Sequence, residues 1–92
     1  MKTPKQLERY FKGAANHWRI AILFVAQKYP GITVDGITKK LDADFKNISQ
    51  HTHRLVSAGL LNKKHHGSQV SHFLSPYGKL FFRLVEKFAK TF

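Results

Sequence analysis

The sequence predicts a mainly α domain with one small β-hairpin, about five helices and two strands over residues 1–92. Three observations lead there. Apolar residues recur at helical spacing in stretches that open on Thr, Asn, Asp or Ser, the residue types that cap helix N-termini. Two of those helices are short and separated by only three residues, Asp42, Ala43 and Asp44, which is a helix-turn-helix arrangement. Finally, Gly67-Ser68 divides two extended runs, as the turn of a two-residue hairpin does.

The elements follow in order. Thr3-Pro4-Lys5-Gln6 starts the first helix, with Thr3 as N-cap, Pro4 at the first helical position and Gln6 closing a capping box. Leu7, Tyr10, Phe11 and Ala14 form its apolar stripe, and Gly13 weakens its end. Asn16 caps a second helix, "HWRIAILFVAQKY", which is apolar on almost every side after Arg19 and so is expected at the centre, buried. Tyr29-Pro30-Gly31 ends it, and Ile32 to Val34 reads as a short extended piece. Thr33 caps a third helix with Val34, Ile37 and Leu41 on one face; Asp44 caps a fourth.

At about 100° per residue, Phe45, Ile48, Thr52 and Leu55 share the buried face of this fourth helix, with His51 and Val56 at its edges. Ala58-Gly59 stops it, Gly59 taking the position just past the cap. Leu61 to His66 and Gln69 to Leu74 are the two strands, with Val70, His72 and Leu74 alternating onto one face. Ser75-Pro76 opens a last helix with apolar positions Tyr77, Leu80, Phe81, Leu84, Val85 and Phe88, while Phe82 and Phe92 fall outside that stripe. This much aromatic surface exceeds what one small core covers.

Bulk composition narrows the function. Sixteen Lys and Arg oppose five Asp and Glu, a formal charge of +11, which implies a polyanionic partner. Cysteine is absent, which excludes disulfides, thiolate metal sites and cysteine redox sensing. The longest apolar run, Ile20 to Ala26, is far short of the ~20 residues that span a bilayer, and no secretion signal opens the chain; a cytoplasmic protein without a membrane partner is expected. The acids Glu8, Asp35, Asp42, Asp44 and Glu86 form no paired arrangement, and neither a phosphate loop nor a nucleophile-base pair stands out, so no enzyme activity and no cofactor are expected.

Several segments resemble the ArsR-type transcriptional regulators of bacteria and archaea. "NHWRIAIL" (Asn16 to Leu23) is similar to the family's entry to its second helix, with Arg19, Ile22 and Leu23 in place. "NISQHTHRLVSAGLL" resembles its recognition helix and exit, ending in Ala58, Gly59 and Leu60, and "KKHHGSQVSHFLSPYG" resembles its basic wing and the Ser-Pro opening of the last helix. The resemblance runs from about Leu7 to Phe88 and implies a winged helix-turn-helix, five helices plus a two-stranded wing, that binds DNA as a dimer. Departures are also present. His17 and Trp18 replace the usual Pro-Thr, Thr52 stands where the family has Leu, and Ser71-His72 stands where it often has two tyrosines. The third helix reads "VDGITKK" without the cysteine pair of metal-sensing members, and the last helix lacks the Asp and His of the other common metal site.

Within that frame the outward face of the fourth helix suits a major groove, where Lys matches guanine O6 and N7 and Asn or Gln matches adenine. Lys46, Asn47, Ser49 and Gln50 are the candidates for base edges, His53 reaches later, and Arg54 meets phosphate. A carboxylate on this face would be repelled by the DNA backbone, and none is present. Lys63, Lys64, His65, His66 and Gln69 are candidates for backbone or minor-groove contact by the wing, although basic hairpins also serve simply to protect an edge strand. Tyr10, Phe11, Leu84, Val85, Phe88 and Phe92 are candidates for a dimer interface built from the first and last helices; monomer core is the competing role for Tyr10, Phe11 and Leu84. A two-fold dimer sets two recognition helices ~34 Å apart and calls for an inverted-repeat operator.

His65 and His72 become diagonal neighbours across the hairpin, but two imidazoles without an acid make a poor metal site, and none is expected. The expectation is therefore a homodimeric, sequence-specific regulator of double-stranded DNA, with repression implied by the resemblance alone and the effector open. The competing classes are a winged-helix protein-interaction module and a charge-only, sequence-independent binder of DNA, RNA or anionic lipid.

Overall fold

The computed structural model describes residues 1–91. These form α1 (Pro4–Ala14), α2 (His17–Lys28), α3 (Val34–Leu41), α4 (Phe45–Ser57), β1 (Leu61–His66), β2 (Gln69–Leu74) and α5 (Pro76–Lys90). Each helix begins where a side chain accepts from an otherwise orphaned amide, a bond that stabilises by about 1 kcal/mol. The Thr3 hydroxyl accepts from Gln6 N at 3.2 Å while Thr3 N donates to Gln6 Oε1 at 2.8 Å, completing the capping box. Asn16 accepts from Trp18 N and Arg19 N, Thr33 from Gly36 N, Asp44 from Asn47 N and Ser75 from Gly78 N. Between α3 and α4 the chain reverses through Asp42, whose φ of 49° is the left-handed conformation that short polar side chains tolerate.

The sheet is a single antiparallel pair, registered Leu61 to Leu74, Lys63 to His72 and His65 to Val70. Gly67, at φ 58°, opens the two-residue turn. The extended piece after α2 docks on β2 as an isolated bridge: Gly31 N donates to His72 O and His72 N to Ile32 O, each at 2.9 Å.

The core joins Ile22, Leu23 and Ala26 of α2 to Ile37 of α3, Ile48 and Leu55 of α4, and Leu60, Leu61 and Leu74 around the hairpin base. Helix α2 lies at its centre as expected, yet it is not buried all round, because Phe24 stays exposed where α2 meets α5. There Phe24 packs edge-on against Phe82 at 5.2 Å between ring centroids. Phe82, outside the apolar stripe, thus packs α5 against α2. The stripe itself turns to α1, with Tyr77 beside Tyr10 (4.8 Å) and Phe81 edge-on to Phe11 (5.6 Å).

Phe45 departs from the expectation of burial and is 52% exposed. It is the first residue of α4, its side chain leans toward the helix N-terminus, and no preceding turn lies beneath it. In α1 only Ala14 of the stripe is buried; Leu7 and Phe11 remain exposed.

Two glycines mark close approaches. A Cβ on Gly13 would lie 2.3 Å from Ala58 Cβ, so α1 crosses the end of α4 at contact distance. A Cβ on Gly78 would lie 2.0 Å from the Leu60 carbonyl oxygen, so the first turn of α5 sits directly on the α4–β1 connection. Ser75 secures that connection, donating its hydroxyl to Gly59 O at 2.6 Å and its amide to Leu60 O at 3.1 Å.

Candidate nucleic-acid interface

Ile48, Thr52 and Leu55 pin one side of α4 into the core, and helical geometry then turns Lys46, Gln50, His53 and Arg54 to solvent. Asn47 and Ser49 are half-buried at the margins of this exposed face. In the hairpin Leu61, His72 and Leu74 are buried, whereas Lys63, Lys64, His65, His66 and Gln69 are all exposed. The helix face and the hairpin are consecutive in the chain and joined by the rigid turn at Ala58 to Leu60.

The charge on these elements is not neutralised among the described residues. Among the described residues, the ion pairs are Lys12–Glu8 (3.7 Å), Lys39–Asp35 (3.1 Å) and Lys90–Glu86 (3.6 Å), each between residues one turn apart on a single helix. Asp44 is occupied as the α4 cap, its carboxylate accepting from Asn47 N at 2.9 Å. None of these carboxylates pairs with a cation of α4 or the hairpin. Exposed ion pairs of this kind stabilise a fold little. Their consequence here is that α4 and the hairpin keep their positive field.

Two histidines, His51 from the edge of the buried α4 face and His72 from the Val70–Leu74 face of β2, have internal duties. His51 Nδ1 lies 3.3 Å from Arg19 Nη1, and since a guanidinium only donates, Nδ1 accepts there and the ring is neutral, with its proton on Nε2. Burial, followed by the charges of Arg19 and Arg54, holds its pKa below the ordinary histidine value. His72 is only 4% exposed, and its Nδ1 is 3.1 Å from the Ile32 carbonyl, which only accepts, so Nδ1 carries the proton. Desolvation lowers the His72 pKa. The hairpin register expected for His65 and His72 holds, but His72 is a core residue tied to the Ile32 bridge while His65 is exposed. No group of three His, Asp or Glu side chains suited to a metal occurs among the described residues.

The candidate dimer residues divide. Tyr10 is half-buried and Phe11 is 53% exposed; with Leu7, Leu80, Phe81 and Leu84 they line an apolar groove of about 620 Å³ between α1 and α5. Lys2 also lines it, its ammonium 4.8 Å from the Tyr77 ring centroid. Val85 is half-buried and does not line the groove, Phe88 lies beyond it at 74% exposed, and Phe92 is outside the described residues. Leu80, 62% exposed, was legible as a stripe position but not as part of the groove.

Sequence reasoning also missed Arg9, Lys12 and Arg19, which share a cleft with Gln50, His53 and Arg54. A signal existed: Lys5, Arg9 and Lys12 recur at i, i+4 and i+7, a basic stripe on α1.

Solved structures of the same shape place the chain in a fold class. No protein-family model and no curated protein matches it in sequence. HlyU from Vibrio cholerae superposes with a TM-score of 0.82 at 23% identity, over 96% of this chain and 97% of that one. The homodimeric winged helix-turn-helix DNA-binding domain of Mb0332 from Mycobacterium bovis, a possible ArsR-family transcriptional regulator, gives 0.81 at 23% identity, over 92% and 79%. The transcriptional repressor PagR of Bacillus anthracis gives 0.79 at 18% identity, over 88% and 93%. The chain is a winged helix-turn-helix domain, with α3 and α4 as the helix-turn-helix and β1 and β2 as the wing. Its structural neighbours include ArsR-family transcriptional regulators. No helix among the described residues is long and apolar enough to cross a membrane.

Proposed function

We propose that this chain is an ArsR-type, sequence-specific DNA-binding regulator of transcription, acting as a homodimer on an inverted-repeat operator and repressing by blocking promoter access. The observation that carries the reading is the exposed, carboxylate-free face of α4, beside a basic wing whose cations have no acidic partner among the described residues. Lys46, Asn47, Ser49 and Gln50, in the first half of α4, are assigned to base edges, where bidentate pairs discriminate between bases. Arg54, Lys63, Lys64, His65, His66 and Gln69 are assigned to the backbone and minor groove, which supply affinity rather than sequence. The apolar groove between α1 and α5, with Tyr10, Phe11 and Leu84 on it, supports pairing with a second copy. Mb0332, of the same fold, is described as homodimeric, and PagR as a repressor.

Selection of bound sequences from a random duplex pool tests the reading directly. An inverted repeat should emerge, favoured over unrelated duplex by about 10³-fold or more. Gln50→Ala should then erode discrimination at one position per half-site by about 1–3 kcal/mol, whereas Lys64→Ala should weaken all duplexes alike. Enrichment of no sequence, with a steep salt dependence, would leave only a charge-driven binder.

A further inference from the structure

A cleft of about 700 Å³ opens between the second half of α1, the start of α2 and the outer face of α4. Arg9, Lys12, Arg19 and Arg54 line it together with Gln50 and His53, and no carboxylate does. Cations gathered around one space raise each other's energy unless an anion joins them. Lys12 has a loose exposed partner in Glu8 at 3.7 Å, which is outside the lining. The three guanidiniums have no acidic partner among the described residues.

Arg19 is the informative member. It is half-buried, with Nη2 3.5 Å from the Lys12 carbonyl and Nη1 3.3 Å from His51 Nδ1, both at the long end of hydrogen bonding. Its Nε is shut off from solvent and has no acceptor at all. A guanidinium presents donors in a planar fork that matches two oxygens of one phosphate. Here the side chain is positioned but poorly satisfied, so turning it toward an incoming oxygen gives up little.

We propose that this cleft binds a single tetrahedral oxyanion through Arg9, Arg19 and Arg54, and that on duplex DNA it takes a backbone phosphate beside α4. The second clause rests on the DNA-binding reading above; the first does not. Both a phosphodiester and free inorganic phosphate have the required chemistry. The cleft therefore makes inorganic phosphate a competitor of DNA beyond its contribution to ionic strength.

The test follows the Arg Nε–Hε resonances of the full chain during two titrations, one with inorganic phosphate and one with duplex DNA, at constant ionic strength maintained with chloride. Phosphate should shift Arg9, Arg19 and Arg54 saturably and leave Arg83 unmoved, and duplex should shift the same three. Arg9→Gln and Arg54→Gln alter exposed side chains, so they test the site without depending on the half-buried Arg19. Each should abolish the phosphate response, weaken duplex binding by about tenfold and lower the salt slope by about 1. If duplex binds by fluorescence anisotropy but neither titrant moves the three resonances, the cleft is not an oxyanion site and the DNA reading stands without its backbone role for Arg54. If phosphate shifts them and no duplex is bound, the oxyanion site stands and the DNA reading falls.

Discussion

The outer side of α4 with its hairpin and the groove between α1 and α5 are both left open by the same small core, yet their chemistry is opposite. One is lined with amides, imidazoles and cations whose charges no carboxylate among the described residues answers. The other is lined by Leu7, Tyr10, Phe11, Leu80, Phe81 and Leu84. A polar face in water costs nothing to leave open, so its meaning comes from the one-sided charge. An apolar groove of this kind does cost free energy in water, because the hydrophobic effect favours covering it. The comparison teaches that the groove calls for a cover from energetics alone, a second copy being the occupant proposed above, while the helix face calls for a polyanion only through electrostatics and position.

The strongest way to break the comparison is to disable one surface without touching the other. Leu80→Ser combined with Leu84→Ser leaves the net charge unchanged and alters exposed positions. Sedimentation should report a monomer, and duplex binding should weaken by about 10²-fold or more as the two half-sites cease to be engaged together. A pair that persists would show that the groove is not the interface.

Gly78→Ala should disable both surfaces together. Its Cβ would lie 2.0 Å from backbone at Leu60, which no side-chain rotation relieves. A loss of about 3 kcal/mol or more is expected in urea denaturation. Gly67→Ala, with nothing within 4 Å, should cost only the left-handed backbone penalty of about 1–2 kcal/mol.

The smallest effect sharpens the comparison from inside the core. Thr52 is buried beneath the polar face of α4, and its hydroxyl has no hydrogen-bond partner. Thr52→Val keeps the shape and removes the unpaired group, so it should stabilise by about 1 kcal/mol without changing DNA affinity. A lower melting temperature would show that the hydroxyl has a partner in solution.

What was legible in the sequence was local. Thr3, Asn16, Thr33, Asp44 and Ser75 cap the helices they were expected to cap, because a cap involves residues two or three positions apart. The strand limits follow from Gly67-Ser68 for the same reason. The exposed residues of α4 were legible because Ile48 and Leu55 orient the whole helix. What depends on how elements meet was not. His72 is claimed by the Ile32 bridge, Phe82 by Phe24, and the basic cleft is assembled from three helices far apart in sequence. Gly13 read as a weak helix end, but its missing side chain is what admits Ala58.

The connection from Ala58 to Leu60 has one more consequence. Helix α1 meets it at Gly13, and the start of α5 meets it through Ser75 and Gly78, so the helices flanking the groove are fastened to the foot of α4. In a pair built through the groove, the distance between the two reading heads is therefore set like a caliper. Inserting one base pair between operator halves rotates one major groove by about 34–36° relative to the other. A caliper fastened in this way cannot follow, so such a protein measures the gap between two DNA words as well as their spelling.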